Sequence, residues 1–154
     1  MNRPSESEVR LVWRILSWIG MIEQLSRTRA SRELAAIGLP FAQFVALNHL
    51  QWRPDEPRTI TRIAAALQQP QPGVTKTFQK LIARKFVRVR PSPSDARSKE
   101  LFITPKGLEV HRKALQCLVP AYQDLFASWS EGEMEDLFAK LDRLKVWLDT
   151  KGRE

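Results

Sequence analysis

The sequence predicts a mainly α-helical protein with one small β-hairpin. Three observations support this fold class: long helices with apolar stripes at both ends of the chain, two short helical segments in the middle, and two short segments with strand character, VRVRPS and ELFIT. VRVRPS alternates apolar and basic residues, and this period of two is typical of a strand. The charged turn SPSDARSK joins the two segments, which indicates a hairpin.

The composition indicates a folded protein of the reducing compartment. The chain has 154 residues, 43% of them hydrophobic, which is enough for a core. It has no apolar run of about 18 residues, and the polar start MNRPSESEVR is not followed by a signal-peptide core. The single cysteine excludes an internal disulfide. We therefore expect a cytoplasmic protein with no membrane partner.

The positive charge is concentrated in one segment. The net charge is +8, but Arg58 to Lys99 holds ten basic residues and one acid, Asp95, which is +9 and leaves −1 for the rest. Charge concentrated in this way is typical of a surface that faces a polyanion. The alternative interpretation is a solvated face that happens to be basic.

The N-terminal helix is predicted to start at a capping box formed by Ser5 and Glu8 and to stop near Gly38. It carries two apolar stripes, so it must be buried on nearly all sides. A terminal helix in so small a chain can hardly achieve this alone, which predicts a homodimer. The stripes are Val9, Val12, Trp13, Leu16, Ile19 and Leu11, Ile15, Trp18, Ile22, Leu25.

Three helices are predicted between the N-terminal helix and the hairpin, and the last two of them are the short helical segments of the middle. The first, residues 41–52, follows Pro40 and carries Phe44, Leu47 and Leu50. After a turn, TITRIAAAL suggests a short extended piece and a short helix capped by Thr61. The third helix, predicted over residues 74–86, has one inward face. That face consists of Val74, Phe78, Leu81 and Ile82.

Two more helices are predicted at the C-terminal end. Thr104 and Pro105 start one, and Pro120 is expected to kink or split it. Ser130 and Glu133 form a capping box for the last. We expect residues 5–37 and 105–150 to form a dimerisation region around residues 40–104, in a single intertwined domain. The predicted dimer contacts are Leu11, Ile15, Trp18, Leu118, Tyr122, Leu141 and Leu144.

Two short helices followed by a hairpin make a winged helix-turn-helix. The hairpin and its exit, D-x-R-x-K followed by LFITPKG, resemble those of the MarR family (multiple antibiotic resistance regulators), and the resemblance covers roughly residues 8 to 150. The order of helix, recognition helix, strand, wing, strand and T-x-x-G is kept. Two departures occur: Gln71-Pro72-Gly73 replaces a Ser or Thr at the start of the recognition helix, and Lys85 replaces a Gly, which requires an unusual backbone angle or a reshaped turn.

The outward face of the recognition helix is the predicted base-reading surface. At 100° per residue, Lys76, Gln79 and Lys80 point away from the inward face, with Thr75 and Thr77 to either side. A helix of this kind fits the major groove, where Gln pairs with adenine and Lys with guanine. The alternative is an ordinary solvated face. The predicted major-groove set is Gln71, Gly73, Thr75, Lys76, Thr77, Gln79 and Lys80.

The resemblance implies that Arg97, at the tip of the wing, enters the minor groove, and that Asp95 pairs with an arginine to shape the loop. The other wing candidates, for phosphate, are Arg88, Arg90, Ser94 and Lys99. For Arg88, an ordinary exposed position on the strand is as well supported as a phosphate contact. A helix N-terminus attracts phosphate, which suggests Thr59, Thr61 and Arg62, although Thr61 is expected mainly to be a cap.

The resemblance also implies a small aromatic or phenolic effector. The candidates for its pocket, each otherwise a plain core residue, are Trp18, Met21, Phe44, His49 and Trp52. Cys117 is expected to be a small buried hydrophobe. His49 and His111 with one cysteine do not make a metal cluster, so no metal or other cofactor is expected.

The leading hypothesis is a homodimeric transcriptional regulator, a repressor that binds a pseudo-palindromic operator in double-stranded DNA and is released by the effector. The alternative is a non-specific or architectural DNA-binding module. A protein-interaction adaptor is a third interpretation. An enzyme is disfavoured because no Gly-rich phosphate loop is present and no base lies beside Cys117 in sequence.

Overall fold

The computed structural model describes residues 5–52, 58–92 and 98–151 and confirms the predicted fold class. In these ranges two strands pair in an antiparallel hairpin, and the remaining elements are helices. The elements are α1 (Glu6–Ala35), α2 (Phe41–Trp52), α3 (Ile60–Ala66), α4 (Gln71–Ala83), β1 (Val87–Pro91), β2 (Lys99–Ile103), α5 (Pro105–Leu125) and α6 (Glu131–Thr150).

The chain forms two compact units, residues 1–118 and 119–154. The boundary between these units falls inside α5. The reason is that the first half of α5 contributes buried side chains, His111, Ala114 and Leu118, to the first unit.

The N-terminal helix begins and ends where its local signals predict. The Ser5 amide donates to the Glu8 carboxylate at 2.7 Å, and the Glu8 amide donates back to the Ser5 hydroxyl at 3.2 Å. Beyond the helix, Gly38 adopts φ +61°. Of the residues of α1, only Ala30 and Leu34 are buried in the chain itself. Both apolar stripes are therefore left exposed.

The core of the first unit lies between α2, α3, α4 and the hairpin. Phe78 and Leu81 of α4, Leu47 of α2, Ile63 of α3 and Leu101 of β2 are 2% exposed or less. One apolar side chain from each neighbouring element thus holds the two short middle helices against the hairpin.

Two boundaries in this region differ from the prediction. The hydroxyl of Thr59 accepts the Arg62 amide at 3.4 Å, so Thr59 caps α3 and the prediction of Thr61 as its cap was wrong. Ile60 already belongs to α3, so the predicted extended piece is not observed there, and the adjoining Arg58 carbonyl accepts the Leu101 amide at 3.0 Å. Helix α4 starts at Gln71, three residues before the predicted start, because Pro72 is tolerated in the first turn of a helix.

Lys85 confirms the predicted unusual backbone angle. Its φ is +61°, and this left-handed conformation ends α4 before the predicted Phe86. The hydroxyl of Thr104 donates to the Lys85 carbonyl at 2.7 Å, which holds the turn. A β-carbon in this conformation is strained, which is why glycine is favoured there.

Replacing Lys85 with glycine is therefore expected to raise the free energy of unfolding by about 1 kcal/mol. The Lys85 side chain is exposed, so its loss removes little packing. Urea denaturation followed by circular dichroism measures the change. The matched control, Lys113→Gly, places glycine inside α5, where a loss of about 1 kcal/mol is expected. If both variants lose stability, strain at Lys85 is not the dominant effect.

At the C-terminal end, α5 runs without interruption through Pro120, so the predicted split is not observed. The Thr104 hydroxyl accepts the Gly107 amide at 3.0 Å, which confirms the predicted start of α5. Ser130 and Glu133 form the predicted capping box of α6. Cys117 is only half-buried, and the prediction of a buried position was wrong. No helix within the described ranges is long and apolar enough to cross a membrane.

Candidate nucleic-acid interface

The recognition helix α4 separates an apolar inner face from a polar outer face. Val74, Phe78 and Leu81 are buried, whereas Lys76, Gln79 and Lys80 are exposed. The 3.6-residue period alone produces this division, because side chains three and four positions apart share a face. The outer face presents one amide and two ammonium groups, which are the donors suited to base edges and phosphates.

The leading end of α4 is open to solvent. Gln71 and Gly73 are exposed, and a β-carbon added at Gly73 would meet no heavy atom within 4 Å. The hydroxyls of Thr75 and Thr77 donate to the carbonyls of Gln71 and Gly73 at 2.9 and 3.0 Å. The hydroxyl protons are thus used within the helix, and the oxygens keep lone pairs that can accept from a ligand.

The hairpin places its basic residues on different faces. Arg88 pairs with Phe102 and Arg90 with Glu100, so both arginines share one face with these partners. Lys99 lies opposite Pro91, on the same face as the buried Leu101. The structure therefore brings Arg88 and Arg90 together and separates Lys99 from them.

Arg58 joins this arginine face, although the predicted site did not include it. The guanidinium carbons of Arg58 and Arg90 lie 5.0 and 5.5 Å from the centre of the Phe102 ring. Cation–π contacts of this kind favour defined positions for both guanidinium groups. The only sequence signal for Arg58 was its place in the basic segment, because its partner is 44 positions away.

The base of the wing is described, and its tip is not. The Ser92 amide donates to the Ser98 carbonyl at 2.9 Å, and the Ser92 hydroxyl donates to the Glu100 carboxylate at 2.7 Å. These bonds join the two strands just before the loop. The predicted residues Ser94, Asp95 and Arg97 lie outside the described residues.

The predicted phosphate residues lie at the start of α3. The Thr59 hydroxyl is engaged as the helix cap, whereas Thr61 and Arg62 are exposed. Arg62 is therefore the basic side chain that this end of α3 presents to solvent.

Arg84 belongs to the basic segment by sequence, but its bonds tie it to the interior of the first unit. Its Nη1 donates to the Gly38 carbonyl at 3.0 Å and to the Gln43 side-chain oxygen at 2.9 Å. Its guanidinium also lies 4.5 Å from the centre of the Phe86 ring. The +9 charge of the segment thus overstates the charge that faces outward with α4 and the hairpin.

The five side chains predicted for an effector pocket differ in their exposure. Trp18 and Trp52 are 57% and 67% exposed, and Met21 is 46% exposed. Phe44 and His49 of α2 are half-buried. Among the described residues, an open groove lies elsewhere, and none of these five side chains lines it.

Phe44 has a second role in the structure. Its ring stacks on the buried His111 with centroids 5.9 Å apart, and His111 Nε2 lies 3.0 Å from the Asn48 side-chain oxygen. Burial lowers the pKa of His111, which favours the neutral imidazole. The described residues include no group of three or more potential metal ligands of the His, Cys, Asp and Glu types.

The side chains predicted to form the dimer interface differ in their exposure. Leu11, Ile15 and Trp18 of α1 are exposed, as are Leu141 and Leu144 of α6, while Tyr122 is half-buried. Leu118 is 4% exposed and packs within its own chain, so it offers little area to a partner.

This fold, with an exposed polar recognition helix beside an arginine-bearing hairpin, defines a winged helix-turn-helix protein. Residues 37–98, which span α2 to the wing, match the model of the MarR family. The predicted resemblance to this family is therefore confirmed for residues 37–98. No curated protein matches the sequence.

Solved structures show the same fold over most of the chain. BldR from Sulfolobus solfataricus has a TM-score of 0.78 at 24% identity, over 93% of this chain and 99% of that one. The MepR–DNA complex of S. aureus has a TM-score of 0.75 at 23% identity, over 85% and 94%. A cysteine-to-serine variant of E. coli MarR complexed with operator DNA has a TM-score of 0.75 at 19% identity, over 86% and 94%.

Proposed function

We propose that this protein is a homodimeric repressor that binds a pseudo-palindromic operator in double-stranded DNA and is released by a small aromatic or phenolic effector. The observation that carries the proposal is the exposed outer face of α4, Lys76, Gln79 and Lys80, on a helix whose other face is locked into the core. A rigid helix that presents an amide and two ammonium groups suits the major groove.

The hairpin supports phosphate and minor-groove contacts beside that helix. Arg88, Arg90 and Arg58 cluster around Phe102, and their charges would release counterions on binding. The minor-groove contact of Arg97, with Asp95 shaping the loop, remains a prediction from the family resemblance. Two solved neighbours, MepR and E. coli MarR, were determined with DNA.

The dimer is supported by the apolar stripes that the single chain leaves exposed. Trp13, Trp18 and Leu25 of α1 are 57 to 69% exposed, and Phe138 of α6 is 71% exposed. Apolar side chains arranged along whole helices favour a protein partner. Two-fold symmetry would place two recognition helices about one turn of DNA apart, so the operator is expected to be a pseudo-palindrome.

Selection of bound DNA from a random duplex pool, at two salt concentrations, tests the proposal. If the protein is a specific regulator, a pseudo-palindromic sequence is expected to be enriched at both salt concentrations. A pool with no enriched sequence, and binding that fades steeply with salt, would identify a non-specific DNA-binding module instead.

Replacing Lys76 and Gln79 with alanine is expected to change the selected sequence. Each good base contact contributes about 1–3 kcal/mol of discrimination, so preference at one or two positions of each half-site should relax. Repeating the selection with each variant measures this. Lys113→Ala, which removes a positive charge from α5, is the matched control and should leave the sequence unchanged. If the variants at Lys76 and Gln79 selected the same sequence as the control, α4 would not read bases.

A further inference from the structure

The first half of α5 carries a buried histidine, His111, that packs against α2. The residue is 4% exposed, and its ring lies nearly parallel to the Phe44 ring, with 10° between the planes and 5.9 Å between the centroids. Its Nε2 lies 3.0 Å from the side-chain oxygen of Asn48. Phe44 and Asn48 are four positions apart and share one face of α2. These three residues form what we call the α2–α5 junction.

The α2 side of the junction is uncharged. Helix α2 contains no Asp, Glu, Lys or Arg, and its one titratable residue is His49. From α1, the guanidinium of Arg27 lies 5.6 Å from the centre of the Phe41 ring of α2 and is paired with Glu23. The polar group that α2 presents to the ring of His111 is therefore the neutral amide of Asn48.

The α5 side of the junction does not favour a positive ring either. Glu109, which pairs with Lys113 at 2.9 Å, and Arg112 are exposed. The charged residues within two positions of His111 are thus one paired carboxylate and two cations. The residues three and four positions away, which share the face of His111, are uncharged. They are Gly107, Leu108, Ala114 and Leu115.

The stability of the junction depends on pH for this reason. Burial lowers the pKa of His111 from its usual value of 6.5, because the interior penalises the charged ring. An unfolded chain takes up the proton at the usual value, so acid favours the open junction. The contribution of His111 to the free energy of unfolding is therefore complete above about pH 6.5. It is lost as the pH falls through the lowered pKa.

We propose that His111 is a proton switch, in which protonation of the ring separates α5 from α2. Helix α2 also packs against the recognition helix α4, and Leu47 of α2 and Phe78 of α4 are both fully buried. A displaced α2 changes the support of α4 and weakens DNA binding. This effect on DNA rests on the proposed function, whereas the acid sensitivity of the junction does not.

Proton NMR of the full-length protein, titrated from about pH 8 to about pH 5, tests the switch without any substitution. His49 and His111 are the two histidines of the chain, and His49→Gln assigns their signals. We expect the pKa of His111 to lie below its usual value, with the signals of α2 and α5 changing as the ring titrates. Titration of a folded protein at or above that value would overturn the proposal.

Thermal unfolding measures the same effect as a loss of stability. Glutamine at position 111 can donate to the Asn48 oxygen but takes up no proton. Between about pH 7.5 and about pH 5.5, the Tm of the wild type is expected to fall at least about 3 °C more than that of His111→Gln. The matched control, His49→Gln, should behave as the wild type. Equal losses in all three proteins would refute the switch.

Fluorescence anisotropy with the selected operator at the same two pH values tests the regulatory consequence. Acid should weaken binding by the wild type about tenfold more than binding by His111→Gln. The same loss in both proteins would show that His111 does not control DNA binding. A protein that shows the His111-dependent loss of Tm but selects no DNA sequence would refute the proposed function and leave the switch.

Discussion

Replacing Gly107 with alanine is expected to lower the free energy of unfolding by about 3 kcal/mol, the upper end of the usual cost of overpacking. An added β-carbon would lie 2.1 Å from the Phe86 carbonyl oxygen and 2.8 Å from Ile103 Cγ1. The carbonyl cannot easily retreat, because it accepts the Thr104 amide at 3.0 Å. The start of α5 and the entry to β1 would therefore have to move apart.

Urea denaturation followed by circular dichroism measures this loss. The control is Gly132→Ala in the first turn of α6, where an added β-carbon meets nothing within 4 Å. There the change should be neutral or stabilising by up to about 1 kcal/mol, since alanine favours a helix more than glycine does. If Gly107→Ala matched this control, the close approach would not constrain the fold.

Replacing both Ile15 and Trp18 with glutamate is expected to convert the protein to a monomer and to weaken operator binding about 100-fold or more. Both side chains lie on one stripe of α1 and are 42% and 57% exposed in the single chain. Glutamate there is tolerated by a monomer but would bury two unpaired charges in a dimer interface, which is costly. A monomer holds one half-site and loses the linkage between two recognition helices.

Sedimentation velocity gives the oligomeric state, and fluorescence anisotropy gives the affinity for the selected operator. Ser17→Glu adds a charge to the exposed polar side of the same helix and should change neither quantity. Retained secondary structure shows that the chain still folds. A dimer that survives the double substitution would place the partner surface elsewhere, and unchanged affinity in a proven monomer would remove the two-fold operator from the proposal.

Much of the fold was predictable because its signals are local. Ser5 with Glu8 and Ser130 with Glu133 are three positions apart, so each capping box is readable in four letters. The outer face of α4 follows from helical periodicity alone. The strained Lys85 was predictable from the resemblance, since the left-handed conformation at that turn favours glycine.

The errors at α3 and α4 were also local in origin. Thr59 and Thr61 are both acceptable caps, and they differ by only two residues, about half a helical turn. Pro72 fits either just before a helix or in its first turn. Where α3 and α4 begin depends on how Ile63 and Val74 pack into the core. A short stretch of sequence does not contain that information.

The local rules of the sequence determined the elements, their caps and the outward face of the recognition helix. The tertiary structure alone decided which distant groups meet: the Phe86 carbonyl against Gly107, Arg84 against Gln43, and Arg58 against Phe102. The physical reason is range. Helical and strand signals act over a few residues, whereas these contacts join positions 21 to 44 apart and arise only when the whole core closes.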